Sequence, residues 1–233
     1  MVKILHLYPH LMNLYGDYAN IIVLKKHLQD QGLQVSVTEK EVEDKLSLQN
    51  YDFIYMGSGT ESNLKIALKA LKKYKQDLES CIAKGKTILF TGNAMELLGK
   101  YIDDEEALGI FDFETKHTDK RFTGDVIVKN DNFGLVVGFI NKSTTSKDNE
   151  EERLFEYVFM DNNLKDSSFE GYHRNNLYAT HIIGPVLVKN PNFMETIVRS
   201  LLPAKKKYKN IEYKYESDSY AITLNALQGR MKW

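Results

Sequence analysis

The stretch ILFTGNAMELLG, residues 88–99, runs from an apolar segment through a glycine into a segment with helical character. This pattern predicts a buried strand, a tight turn and a helix, the local structure on which many α/β enzymes mount a nucleophile. The residue at the apex of the turn is Gly92, which carries no side chain. The stretch therefore indicates an α/β fold and leaves open what its turn does without a nucleophile.

The segments around this stretch repeat the order of strand and helix. Strand patterns occupy residues 2–8, 33–39 and 51–59, and helical patterns occupy residues 18–32, 63–85, 93–102 and 192–202. Such alternation predicts a three-layer α/β fold with a mainly parallel sheet flanked by helices, of the flavodoxin-like type. Beyond residue 109 the patterns become shorter and two-sided, with strands predicted at 111–117, 122–130 and 133–141. The second half is therefore expected to be β-rich, with a surface loop at 143–152.

We expect one domain over residues 1–203 and a C-terminal tail over 204–233. The tail starts with lysines and ends in an amphipathic segment, which is either a docking helix or an ordinary terminal helix. The lysine-rich outer side of the helix predicted at 63–85 is interpreted as a solvated face.

Composition narrows the functional classes. The chain has 31 basic and 32 acidic side chains, a net charge of −1, so it does not indicate nucleic acid or an anionic membrane as a partner. No long apolar run resembles a signal peptide or a membrane span, which favours a cytoplasmic protein. A single cysteine, Cys81, cannot form an internal disulfide or a thiolate metal cluster. We expect neither a metal nor a cofactor.

Ligands of open α/β sheets bind outside the carboxyl ends of the strands. Four segments are predicted to meet at that rim: HLYPHLMNLYGD (6–17), MGSGTESN (56–63), FTGNAME (90–96) and THIIGP (180–185). The sequence predicts a binding site where they converge.

At this rim the sequence resembles a known family. The segments HLYPHLMNLYGDYANIIVLKKHL, MGSGTESN, ELLGKYI, LGIFDFETKHTDKRFTGD and FEGYHRNNLYATHIIGPVLVKNP follow one another as in class I glutamine amidotransferases of the cobyric acid synthase type. Within that family the sequence is most similar to the glutaminase subunits of lipid II isoglutaminyl synthases. The resemblance covers about residues 1–200 and implies the class I amidotransferase fold and a partner, a Mur-ligase-like synthetase that modifies peptidoglycan precursors.

The resemblance also implies a mechanism that this chain departs from. In the family, a cysteine at the turn attacks the amide of glutamine, a histidine transfers the proton, and a glycine-rich turn supplies oxyanion donors. Aligning Glu96 and the following Leu-Leu-Gly with the family motif places Gly92 at the cysteine position. Aligning Gly184 and Pro185 places Ile183 at the histidine position. We therefore expect an amidotransferase-like subunit without glutaminase activity, a pseudoenzyme.

The residues expected to form the remaining binding site are Gly57, Ser58, Gly59, Gly92, Asn93, Arg121 and His181. Arg121 matches an arginine that handles substrate in lipid II-type glutaminases, but an arginine beside Asp119 and Lys120 is equally typical of a solvated turn. Glu96 is read either as a ligand contact or as a first-turn carboxylate favoured by the helix dipole. His181 is read as a pocket residue or as a strand-end histidine bonded to a neighbour.

Two other functions stay open from the sequence. The protein would be an active glutamine amidotransferase or amide hydrolase if Thr91 or Ser58 replaced the cysteine. Cys81, a strand away from the rim, is interpreted as an inert buried thiol. The vacated pocket would otherwise serve as a sensor that binds glutamine.

Overall fold

The computed structural model describes residues 1–147, 150–161 and 169–231. The strands are β1 (Val2–Leu7), β2 (Val35–Lys40), β3 (Phe53–Met56), β4 (Thr87–Thr91), β5 (Tyr101–Ile102), β6 (Glu105–Glu106), β7 (Glu114–Asn130), β8 (Gly134–Lys147), β9 (Arg153–Met160), β10 (Phe169–Arg174) and β11 (Leu177–Thr180). The α-helices are α1 (Ala19–Asp30), α2 (Glu61–Leu71), α3 (Lys75–Ala83), α4 (Val186–Lys189), α5 (Pro191–Ser200) and α6 (Lys214–Arg230).

The strands form one sheet in the order β2-β1-β3-β4-β11-β10-β9-β7-β5-β6, with β8 paired to β7. The five strands from β2 to β11 are parallel, as in the pairing of Ile54 with Ile88, and β10, β9, β7 and β8 continue antiparallel. The predicted α/β fold with a mainly parallel sheet and a β-rich second half is confirmed. Parallel strands bring the ends of β1, β3, β4 and β11 to one rim.

Helices cover both faces of the parallel strands. On one face, α2 and α3 pack with buried residues of β3 and β4 such as Ile54, Met56 and Phe90. On the other face, α1, α4 and α5 pack against Ile4 and Tyr55. These buried layers are large enough to fix the rim geometry, because close-packed interiors resist shifts of their elements.

Several predicted elements have different bounds in the structure. The helix expected over 63–85 breaks at Lys72–Tyr74 into α2 and α3, and the helix expected after β4 is a 3₁₀ helix, Gly92–Leu98. The predicted separate strands 111–117 and 122–130 are largely one strand, β7, which carries an irregularity between His117 and Phe122. The prediction of a surface loop at 143–152 is wrong for its first part, because residues 143–147 belong to β8. Residues 148–149 lie outside the described residues.

The C-terminal tail lies along the domain in two parts. Its first part pairs with α1, where Gln31 Nε2 donates to the Lys209 carbonyl (2.9 Å) and Lys209 N donates to Gln31 Oε1 (2.7 Å). Its helix α6 packs on the β7–β8 pair, with Leu227 buried against Ile127 and Val137. A docking role for the tail stays a prediction, and residues 232–233 lie outside the described part. Within the described residues, no helix combines the length and apolar character needed to span a bilayer.

Candidate functional site

The turn that follows β3 meets the turn that follows β4 at the predicted rim. Gly57 approaches the loop after β1 so closely that a Cβ there would lie 2.8 Å from the Met12 carbonyl oxygen. Ser58 is buried behind Gly59, and the chain enters α2 through Thr60, whose hydroxyl accepts from Asn63 N (3.2 Å). The glycines of the MGSG segment are thus explained by close backbone approach.

Both backbone N–H groups of this turn already have partners inside the protein. Ser58 N donates to Asp17 Oδ2 (2.7 Å), and Gly59 N donates to Asn93 Oδ1 (2.9 Å). Asn93 Nδ2 donates back to the Gly59 carbonyl (2.8 Å), so the Asn93 amide joins the two turns at two points. Ser58 Oγ also donates to Asn93 Oδ1 (3.2 Å). These hydrogen bonds hold the two turns together.

The backbone of Gly92 adopts a left-handed conformation, with φ of +61°. A Cβ built on this residue would lie 2.5 Å from Ser58 Oγ, 2.6 Å from Ser58 Cβ and 3.1 Å from Ile183 Cγ2. Glycine suits the conformation because it has no Cβ. The space beside Gly92 is occupied, so the site has no room for even the first carbon of a side chain.

Asp17 anchors the turn from a fully buried position. Burial raises its pKa to about 6, although the Ser58 N–H and the Thr91 hydroxyl oppose the shift by bonding the carboxylate. Its Oδ1 atom has no hydrogen-bond partner among the described residues. Nearby, the hydroxyls of Tyr55 and Thr91 lie 2.9 Å apart, which leaves Thr91 committed to a buried network.

We expect Asp17→Asn to stabilise the protein at neutral and alkaline pH. The folded pKa of about 6 lies above the usual 3.8, so the contribution of Asp17 to stability is full below pH 3.8 and is lost as pH rises to 6. The loss corresponds to about 3 kcal/mol at pH 8. Asparagine keeps an oxygen for Ser58 N, so urea unfolding should show the gain at pH 8 and none at pH 4.

The exposed Asp119 supplies the control for this prediction, because Asp119→Asn removes the same charge from the surface. As a substitution on the exposed surface, it should change the free energy of unfolding at pH 8 by less than about 0.5 kcal/mol. Equal stability of Asp17→Asn and the parent protein at pH 8 would contradict the buried-carboxylate account.

A polar cleft of about 480 Å³ opens beside the two turns. One wall is the Gly59–Ser62 segment with the start of α2, and the other is the β7–β8 pair. Arg121 stands at this wall, where its Nε donates to Asn141 Oδ1 (2.7 Å) and Asn141 Nδ2 donates to the Tyr15 hydroxyl (3.0 Å). The lining residues are Leu14, Tyr15, Gly59, Thr60, Glu61, Ser62, Asn93, Glu96, His117, Arg121, Lys142, Ser143 and Thr144.

Buried charges lie under this cleft. Glu96 is only 2% exposed and its Oε1 accepts from the Thr144 hydroxyl (2.8 Å), while its Oε2 has no partner in the described chain. His181 Nε2 lies 3.4 Å from Glu96 Oε1, and its Nδ1 lies 3.5 Å from Glu170 Oε2. The imidazole is thus placed between two carboxylates, and Lys142 is close enough to act on it electrostatically.

The pKa directions in this cluster follow from its opposite charges. Burial and Lys142 lower the pKa of His181, but hydrogen bonds to Glu170 and Glu96 outweigh them and raise it. Burial raises the pKa of Glu170, yet the bonds from His181 and Thr180 lower it overall. The cluster therefore favours an imidazolium at His181 and a carboxylate at Glu170.

The structure brings the predicted site residues together in two layers. Gly59, Asn93 and Arg121 line the cleft, whereas Gly57, Ser58 and Gly92 are buried behind its wall. His181 is 3% exposed and bonded beneath the cleft.

The other candidate groups lie apart or are committed. Cys81 is buried in α3, where burial raises the pKa of its thiol. His10 pairs with Glu41 on the surface, and His173 stacks on Tyr178 with ring centroids 4.7 Å apart. Within the described ranges, no three His, Cys, Asp or Glu side chains are grouped to hold a metal ion.

Sequence reasoning missed four functional neighbours, Asp17, Lys142, Thr144 and Glu170. Asp17 stood in a quoted rim segment, but only the structure shows its bond to Ser58. Glu170 and Thr144 come from strands whose register relative to β4 has no local signal. No pattern in the sequence marked them.

The chain matches a family of known proteins over most of its length. The family model of the CobB/CobQ-like glutamine amidotransferase domain matches residues 3–191. The subunit GatD of lipid II isoglutaminyl synthase (glutamine-hydrolyzing) from Staphylococcus aureus is 32% identical over 194 residues, covering 81% of this chain and 79% of the relative. The GatD subunit from Streptococcus pneumoniae is 30% identical over 215 residues, covering 89% and 82%.

Solved structures show the same fold at low identity. PurLQS from Thermotoga maritima gives a TM-score of 0.57 at 14% identity and covers 87% of this chain and 99% of that chain. A glutamine amidotransferase from the same organism gives 0.55 at 13% identity, covering 99% and 97%. The resemblance found in the sequence motifs is confirmed, and the chain belongs to the CobB/CobQ-like glutamine amidotransferase family.

Proposed function

We propose that this chain is a glutaminase-like subunit that does not hydrolyse glutamine and serves as a binding or regulatory partner of a synthetase. The observation that carries the proposal is the occupied space beside Gly92, where a Cβ would lie 2.5 Å from Ser58 Oγ. A nucleophile mounted at this turn needs both a side chain and room for the substrate amide.

The groups that glutamine hydrolysis would require are either replaced or already bonded within this chain. The family motif aligns the cysteine with Gly92 and the proton-transferring histidine with Ile183, whose side chain is 2% exposed and packs towards Gly92. The turn donors at Ser58 and Gly59 bond Asp17 and Asn93 instead of a substrate oxygen. Loss of the nucleophile, the base and the free donors together supports a role in binding.

The names of the two curated relatives indicate the kind of partner that this chain would bind. Both GatD proteins are named as subunits of lipid II isoglutaminyl synthase, so each works within a larger enzyme. By analogy, this chain would bind a Mur-ligase-like synthetase that modifies peptidoglycan precursors, in the cytoplasm. The open polar cleft with Arg121 would then face ligand or partner.

The cleft supports a second candidate function, a sensor for glutamine. Glu96 Oε2 is buried without a partner in the described chain, and Glu96 lines the same cleft as Arg121. A carboxylate and a guanidinium at one cleft fit the amino and carboxyl groups of an amino acid. Calorimetry with glutamine and with the Glu96→Gln variant separates a sensor from a subunit that binds protein only.

The pure protein incubated with glutamine should release no ammonia or glutamate above the background without protein. Thr91→Ala and Ser58→Ala test the two possible substitute nucleophiles, and both should match the parent protein, because Thr91 is fully buried and Ser58 is 5% exposed. Turnover in the parent that disappears in one variant would replace this proposal with an active amide hydrolase.

A further inference from the structure

A row of lysines crosses the outer surface of the α2–α3 layer. We name Lys65, Lys69, Lys72, Lys73 and Lys75 the lysine row. Residues 63–75 contain these five lysines and no acidic residue, although the whole chain has a net charge of −1. The net charge of the whole molecule therefore gives no attraction to an anionic surface. Any attraction must come from a local group of positive charges.

The fold of α2 turns this row outward. The opposite side of the helix is buried in the core through Leu64, Leu68 and Leu71. Lys65 and Lys69 are four residues apart on α2, so their Cα atoms lie about 6 Å apart along one side of the helix, and Lys73 follows in the 3₁₀ segment Lys72–Tyr74. All three are exposed, and Ile66 next to them is 47% exposed.

The positive charge of the row is not neutralised by close pairing. Among the residues that the structure describes, none of the five ammonium groups has a carboxylate oxygen within 4.0 Å. Two acidic side chains near the start of α2 have other partners: Glu61 accepts from the Ser143 hydroxyl (3.1 Å), and Asp103 bonds His117 Nδ1 (2.7 Å). Lys65 also acts electrostatically on Asp103, but without an ion pair, so the exposed Lys65, Lys69 and Lys73 and the half-buried Lys72 and Lys75 keep most of their positive charge available to the surroundings.

We propose that the lysine row docks this protein on a bilayer surface rich in anionic phospholipid headgroups. Clusters of four to eight basic side chains beside an apolar helix face are typical of contact with anionic lipids, and here five lysines follow one another along α2, the 3₁₀ segment Lys72–Tyr74 and the start of α3. A protein partner fits the row less well, since protein interfaces are depleted in lysine and enriched in arginine, and residues 63–75 contain no arginine. A layer of lipid phosphates needs point charges without bidentate geometry, which lysine supplies.

Docking through α2 also positions the cleft. The first turn of α2, through Glu61 and Ser62, lines the cleft, and Lys65 lies one turn further along. The cleft mouth would therefore lie next to the headgroups. The inference rests on the charge and exposure of the row and does not depend on the proposed loss of glutaminase activity.

The test is co-sedimentation of the full chain with vesicles made of equal parts phosphatidylglycerol and phosphatidylcholine. Binding should decrease as sodium chloride is added and should be absent with pure phosphatidylcholine. The variant Lys65→Glu/Lys69→Glu/Lys73→Glu should bind about 100-fold more weakly, since each lysine near an anionic surface contributes about 1 kcal/mol. Circular dichroism checks that the variant is folded.

The matched control is Lys205→Glu/Lys206→Glu/Lys207→Glu, which makes the same change of net charge in the tail. It should keep most of the binding. An equal loss of vesicle binding in both variants would overturn the proposal. Absence of binding to the anionic vesicles would also overturn it and would leave an acidic protein surface as the partner of the lysine row. Displacement by inorganic phosphate beyond that by chloride of equal ionic strength would instead show a site for free phosphate and would also overturn it.

Discussion

Replacing Gly92 by alanine is expected to lower the free energy of unfolding by about 4 kcal/mol, from overpacking and from a left-handed backbone with a Cβ. The added carbon would lie 2.5 Å from Ser58 Oγ and 2.6 Å from Ser58 Cβ, and both atoms belong to a buried, hydrogen-bonded residue. Moving Ser58 away would also break the hydrogen bonds through which Asn93 ties the two turns together. Urea unfolding monitored by circular dichroism measures the loss.

Gly109 supplies a matched control for the backbone part of this cost. It has the same φ of +61°, but the nearest atom to an added Cβ is Lys75 Nζ at 3.6 Å. Gly109→Ala should therefore cost about 1 kcal/mol, the price of the conformation alone. In the Gly92→Ala background, Ser58→Gly should restore about 2 kcal/mol by removing the overlap. Equal costs for the two alanine variants would show that the space beside Gly92 is open.

His181→Ala is expected to cost about 4 kcal/mol, since it removes one partner from a buried ionic group. The carboxylates of Glu96 and Glu170 would stay in the interior, each 2% exposed, without the imidazole that lies between them. Adding Glu170→Gln to this variant should recover part of the loss, because one uncompensated buried charge is then gone. Thermal or urea unfolding of the single and double variants measures both effects.

The advantage of the parent protein over His181→Ala should depend on pH. Because the pKa of His181 is raised in the folded protein, His181 contributes fully to stability below pH 6.5. This contribution is lost as the pH rises through the pKa that His181 has in the folded protein. Because the pKa of Glu170 is lowered in the folded protein, Glu170 contributes fully to stability above pH 4.5. This contribution is lost as the pH falls through the pKa that Glu170 has in the folded protein. The difference between the proteins should thus be largest from pH 4.5 to 6.5. A constant difference from pH 4 to 9 would contradict the ionic account.

The first half of the fold was predictable because its periodicity is local. Strands β1, β3 and β4 are mainly apolar runs of strand length, interrupted in β1 by Lys3 and His6, and α1 repeats its apolar residues at helical spacing. The segment after β4 misled the prediction because residues 92–98 are mostly buried on all sides. With no exposed face, packing decided its conformation, and the chain turns at Gly99, where a Cβ would lie 2.6 Å from Phe113 Cε2.

The second half was less predictable because its pairing is long-range. The polar residues between His117 and Phe122 look like a turn between two strands, yet they form an irregularity within β7 that pairing with β8 stabilises. The candidate site was likewise predictable where local sequence patterns determine it and not where long-range pairing does. The rim rule placed Ser58, Gly92 and Asn93 together, whereas the bonds of Asp17 to Ser58 and of Glu170 to His181 depend on register between distant segments.

Ammonia release from glutamine by three engineered proteins tests most directly whether the filled turn is what separates this chain from a glutaminase. Gly92→Cys/Ile183→His restores the two reactive groups but keeps Ser58, and it should stay inactive. Adding Ser58→Gly opens the space at 2.5 Å and should give measurable but weak turnover, because the backbone N–H groups of residues 58 and 59 still bond Asp17 and Asn93. This turnover should be lost when the new cysteine is replaced by alanine. Turnover by the variant that keeps Ser58 would contradict the account.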